Sequence, residues 1–129
     1  MMYDRLYIEF LYHFNVTQDY FECHEVMEAY WLDERRNKKL QALLQIAVGL
    51  YHYRNENRTG AQKLFEGALE KKDTPWNGYT GIDEEDVFRK TKDCLNNLEQ
   101  VPFSPFLIKI TDPELKKAVD HCQPQYVEE

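Results

Sequence analysis

Long apolar runs are missing: no stretch of the 129 residues approaches the roughly 18 uninterrupted apolar positions that a membrane-spanning helix requires. The first dozen residues carry Asp4, Arg5 and Glu9 where a signal peptide would be apolar, so a cytoplasmic location is expected. Cysteine is scarce. Cys23, Cys94 and Cys122 form an odd set without C-x-x-C spacing, which argues against a disulfide framework or a thiolate metal knuckle and leaves three small side chains for the interior. Positive charge is in the minority, 16 Lys and Arg against 23 Asp and Glu for a formal charge of -7, and this opposes attraction to phosphate backbones or anionic lipid. Neither nucleic acid nor membrane is the expected partner. The basic clusters, Arg35, Arg36, Lys38 and Lys39, then Lys71 with Lys72 and Lys116 with Lys117, read as solvated helix ends that offset the helix dipole. A glycine-rich phosphate loop and a nucleophile elbow are both lacking.

What is present is apolar patterning. With 43% hydrophobic and 14% aromatic residues, the chain fits a single helical domain over residues 1–129, able to bury about two thirds of its unfolded surface. Tyr3, Tyr7, Phe10, Leu11 and Phe14 recur at spacings of three and four and predict a first amphipathic helix ending near Asn15. A second, capped by Thr17, runs to about Asp33; a third spans Lys38 to Arg54; Ala61, Leu64, Phe65, Ala68 and Leu69 mark a fourth. Asp83 caps a fifth along Val87, Phe88, Thr91, Cys94, Leu95 and Leu98, and Asp112 followed by Pro113 opens a sixth. The expected fold is therefore all-α, a compact bundle of about six helices with the second and third at its centre. Residues 73–81, with Trp76 and Tyr79, and residues 101–110, with Pro102, Phe103, Pro105 and Phe106, read as loops packed onto the bundle.

The polar residues of the two central helices are collected on lines. On the third helix Gln41, Gln45 and His52 fall close together around an otherwise apolar circumference, with Gly49 beside them, whose missing side chain lets helices approach or leaves room beside His52. On the second, Tyr20, Phe21, Met27, Trp31 and Leu32 read as the buried face, with His24 and Glu28 one turn apart at its centre and Glu25 at its edge. A buried imidazole or carboxylate is costly without a partner, so the two lines are expected to meet in a buried polar site of His24, Glu25, Glu28, Gln41, Gln45 and His52.

That site has three readings. His24, Glu28 and His52 make a two-histidine, one-carboxylate set suited to a divalent transition metal, although H-E-x-x-E lacks the second histidine of the zinc-protease motif. A His24–Glu28 pair in a dry pocket suits proton transfer to a substrate held by the glutamines. Or the groups simply close one another's hydrogen bonds, Glu28 accepting from His52, and fix helix register. A reading from a different class is a protein-interaction module: Gly49, His52, Ala61, Phe65 and Ala68 approximate a tetratricopeptide hairpin, but a solenoid needs about three copies and no second is found. An exposed groove lined by Tyr and Trp residues favours that module; a closed polar pocket around His24 favours the site, and a protein partner or a homo-oligomer stays open as the partner. His13 and His121 read as surface or capping residues.

FNVTQDYFECHEVMEAYW followed by LQALLQIAVGLYHYRNENRTGA, residues 14–61, resembles the signature of the family catalogued as domain of unknown function three hundred and nine. H-E-x-x-E-x-x-W joined to L-Q-x-x-x-Q and Y-H carries the resemblance. It implies a small all-helical bundle and no particular activity. Gln18 stands where the resemblance expects a glycine in the turn, and Ala42 and Leu44 replace Gly and Ile.

Overall fold

The computed structural model describes residues 3–74 and 80–126, so Trp76 and Tyr79 lie outside the described residues. Among these are six α-helices: α1 (Arg5–Tyr12), α2 (Tyr20–Asp33), α3 (Lys38–Arg54), α4 (Arg58–Glu70), α5 (Glu84–Asn96) and α6 (Pro113–Asp120), with one π-helical turn, His13–Thr17, after α1. Each α-helix starts on an Asp or Asn whose side chain accepts from a first-turn amide: Asp4, Asp19, Asn37, Asn57, Asp83 and Asp112. These acceptors satisfy donors that a helix start leaves free, which is why the boundaries are sharp. The cap of α2 is Asp19, not Thr17. The wider π turn carries the first helix on past its α-helical end, and the Thr17 hydroxyl is spent there on the His13 carbonyl. The chain then reverses through Gln18 at φ 54°, ψ 34°, the left-handed region that glycine enters without strain.

The buried residues form one core. Tyr7, Phe10, Leu11 and Phe14 from the first helical stretch meet Tyr20, Cys23, Val26, Met27 and Tyr30 of α2 and the apolar residues of α3. Leu40, Leu43, Ile46, Ala47 and Leu50 are all buried around α3, which packs chiefly against α2 on one side and α4 on the other. It is the central helix. Residues 101–110 form an extended connector held by Asn15, whose side-chain amide bonds both Ile108 N (2.9 Å) and Ile108 O (2.8 Å), and by an antiparallel bridge between Ile82 and Ile110. All three cysteines are free, Cys23 fully buried and the other two partly covered.

Three charged or titratable groups depart from their expected surface roles. Lys39 is buried, and its ammonium donates to the Lys72 carbonyl and to Glu84 Oε1, each at 2.7 Å, so this lysine is not a solvated helix end. Lys71 is also engaged, donating to Gln45 Oε1 and the Gly67 carbonyl. His13 is buried in the π turn with Nδ1 3.0 Å from Thr17 Oγ1, whereas His121 is the exposed C-cap of α6, as expected. Glu9, one turn before His13, is buried as well and accepts the backbone amides of Gln125 and Tyr126, pinning the C-terminal strap.

Candidate functional site

α2 carries two apolar stripes, and its buried one is Tyr20, Cys23, Val26, Met27 and Tyr30. Of the face read as buried from the sequence, Tyr20 and Met27 are buried, Trp31 is half-buried, and Phe21 and Leu32 lie on the rim. Phe21 is 49% exposed and Leu32 is exposed too, while the side chains of His24 and Glu28 are 35% and 49% exposed. At about 100° per residue, the two stripes sit side by side on the helix, so an apolar run of this density fits either face until α1 and α3 settle the choice. The expected buried polar site is therefore replaced by a surface one, and the dry pocket needed for proton transfer is not formed there.

The six candidate residues divide into separate groups. His24 stands between two carboxylates of its own helix, Nδ1 3.1 Å from Glu25 Oε1 and Nε2 2.9 Å from Glu28 Oε2. Both contacts are donated only by a ring protonated on both nitrogens. Gln45 faces α4: its Oε1 accepts from Lys71 Nζ at 3.0 Å, and its amide lies over Gly67, where a Cβ would come within 2.9 Å of Nε2. Gly49 faces α4 as well, its missing side chain replaced by the Phe65 ring, so it leaves no room beside His52. Gln41 is half-buried and makes no side-chain hydrogen bond among the described residues. His52 turns Nδ1 towards the Asn57 side chain at 3.3 Å, and Glu28 accepts from His24 and not from His52.

The metal reading fails on this geometry. Among the described residues no three His, Cys, Asp or Glu side chains are grouped so as to hold a metal ion, and His24, Glu28 and His52 do not form a ligand set. Burial pushes the Cys94 thiol up to about 11 and Cys23 well above its ordinary value, which disfavours the reactive thiolate at both.

His24 and His52 nevertheless share one wall. With Tyr20, Phe21, Val48 and Tyr51 they line a pocket of about 180 Å³ in the groove between α2 and α3. Phe21 and His24 have ring centroids 6.3 Å apart, Phe21 and Tyr51 6.2 Å, and Tyr51 and His52 5.8 Å, so a chain of four rings runs along the pocket. Tyr51 is 37% exposed. The sequence reads Phe21 as a packing residue; the role of Phe21, Val48 and Tyr51 here needs the α2–α3 register, which no local pattern carries.

Fold and groove define a small all-helical bundle with a surface aromatic pocket and, among the described residues, no grouped set of metal ligands. The chain belongs to the family described as Domain of unknown function (DUF309), whose model matches residues 7–64. It is 30% identical over 123 residues to the uncharacterized protein YpuF of Bacillus subtilis (strain 168), a match that covers 91% of this chain and 71% of that protein. Every residue lining the groove falls inside the matched stretch.

Proposed function

We propose that the chain is a non-catalytic docking module whose α2–α3 groove takes one apolar anchor side chain of a partner polypeptide. The observation that carries this reading is the pocket itself: about 180 Å³, walled by aromatic and imidazole rings, with Phe21 and Tyr51 exposed at its mouth. Small-molecule sites run from about 300 to 1,000 Å³, so this one is undersized for a cofactor but suited to a single buried anchor of the kind that dominates protein interfaces. A metal or small-ligand site at His24 is the weaker reading, because the three ligands do not assemble and the imidazole is already held by Glu25 and Glu28. Those carboxylates, with Glu22 on the same helix, give α2 an acidic character, so the matching partner segment carries Lys or Arg beside its anchor.

The test is an NMR titration with a short lysine-rich peptide bearing one central phenylalanine, compared with the same peptide bearing alanine there. Saturable shifts at the amides of Phe21, His24, Val48 and Tyr51 are expected for the phenylalanine peptide alone, and Val48→Glu removes them. Equal shifts with both peptides, or shifts confined to other faces, would falsify the reading; loss of the free groove on concentrating the protein alone points instead to a second copy.

A further inference from the structure

A second cavity, of about 460 Å³, opens away from the docking groove, between the π turn, α5, the extended connector and α6. Val16, Leu107, Ile108, Ile110 and Val119 give it an apolar lining, and the first two are about half-exposed, among the most exposed large apolar side chains of the molecule. Such exposure needs a reason, since apolar side chains gathered at a concave site mark binding.

Three lysines reach this cavity from three different elements: Lys90 from α5, Lys109 from the connector and Lys116 from α6. In a chain of formal charge -7 that convergence is contrary to the overall balance. Two of the three are partly neutralised, Lys90 by Asp86 at 2.8 Å and Lys116 by Asp120 at 2.6 Å. Lys109 makes no ion pair within 4 Å among the described residues, and its charge adds to the Lys90 hydrogen bond in holding the Asp86 carboxyl below its ordinary range. Lys90 also donates to the Leu107 carbonyl at 3.1 Å, so it fixes the connector as well as lending charge. The cavity thus has an apolar wall and, at its edge, three ammonium groups against the one carboxylate of Asp120, an excess of positive charge that complements a small molecule with one anionic head and a short hydrocarbon body.

We infer that this cavity binds a small amphipathic monoanion, a carboxylate with a short acyl chain, with Ile108, Ile110 and Val119 against the chain and Lys109 and Lys116 towards the head. The volume lies within the usual range for small-ligand sites. A nucleotide fits the same surface poorly: no backbone amide cluster or helix N-terminus lines the cavity to receive a second phosphate.

Octanoate is the probe, with acetate supplying charge without chain and octanol supplying chain without charge. NMR titration of the intact chain with octanoate is expected to give saturable shifts at Val16, at 107–110 and at Val119, with acetate and octanol each weaker. Lys109→Glu/Lys116→Glu, both exposed positions where the fold should hold, is expected to weaken octanoate binding about tenfold or more and to leave octanol unchanged. Circular dichroism and the melting temperature confirm that the variant is folded. Octanol binding as well as octanoate, an unchanged affinity in the folded variant, or tighter saturation of the same amides by a short acidic peptide would each overturn the inference.

Discussion

Tyr20 and Tyr53 pack on the same Phe103 ring, with centroids at 6.3 and 5.4 Å, but their hydroxyls fare differently. Tyr53 donates to the carbonyls of Val101 and Pro102, at 2.9 and 3.2 Å, while the Tyr20 hydroxyl is buried with no hydrogen-bond partner among the described residues. Burial also pushes the Tyr20 phenol up to about 12, so it stays protonated at any ordinary pH. A satisfied buried hydroxyl contributes roughly 1 kcal/mol, whereas an unsatisfied one costs a comparable amount, so the same change at the two sites should have opposite signs. Tyr53→Phe is expected to lower the urea unfolding free energy by about 1 kcal/mol, and Tyr20→Phe to leave it unchanged or raise it by up to about that amount. Equal losses would show that the Tyr20 hydroxyl finds a partner, such as an ordered water. A second single-residue test lies at Gln18. The resemblance marks this position as one where a glycine is expected, and φ of 54° supplies the reason, because a Cβ there crowds the backbone. Gln18→Gly should stabilise by about 1 kcal/mol, read from the shift of the thermal midpoint, since Arg54 donates to the backbone carbonyl of residue 18 and keeps that bond. At this scale a turn was legible from one residue type, while the orphaned hydroxyl depended on which rings surround it and was not.

Helix boundaries and helix faces were legible to different degrees for a physical reason. Asp83, Asp112 and the limits of α3 are fixed by bonds that span two or three residues, so the local sequence carries them. The exception, Thr17 yielding to Asp19, arises where a π turn adds residues that α-helical spacing does not anticipate. Which face a helix buries depends on neighbours far along the chain, and α2, with an apolar or aromatic residue available on either stripe, was misread for that reason. His24 and His52 share a wall as the two polar lines suggested, yet Gln45 and Gly49 belong to the α3–α4 seam. That seam yields a sharp prediction. In an exposed helix interior Gly→Ala gains about 1 kcal/mol from propensity, but a Cβ on Gly49 would lie 2.5 Å from Phe65 Cε1 in a fully buried ring. Gly49→Ala should therefore destabilise by about 1–3 kcal/mol through overpacking, and Phe65→Leu in the same chain should recover part of the loss. Additive losses in the double variant would mean that the two helices do not meet at this point.

Across the whole molecule, Lys39 ties together elements that no local pattern relates. From the start of α3 its ammonium reaches the carbonyl of Lys72 beyond α4 and the carboxylate of Glu84 at the start of α5, 45 positions away in sequence. Glu84 in turn accepts from Thr80 Oγ1 at 2.7 Å, and the Thr80 carbonyl accepts from Tyr7 of α1 at 2.6 Å. The pair is asymmetric: the Lys39 side chain is 7% exposed and that of Glu84 37%. Removing one partner of a buried pair costs what the stranded charge loses, and here the two strandings differ. Glu84→Gln leaves an ammonium enclosed with a carbonyl and a neutral amide, an expected cost of about 3 kcal/mol. Lys39→Met leaves a carboxylate that water and Thr80 can still serve, and the aliphatic stem is kept over the Phe88 ring, so the expected cost is nearer 1–2 kcal/mol. The double variant, with no charge left to strand, should lose less than the sum of the two. Urea unfolding of the three variants measures this directly: a larger loss for Lys39→Met than for Glu84→Gln would mean that the enclosed charge is better hydrated than its burial implies, and that the ends of α3 and α5 are held by packing and not by this pair.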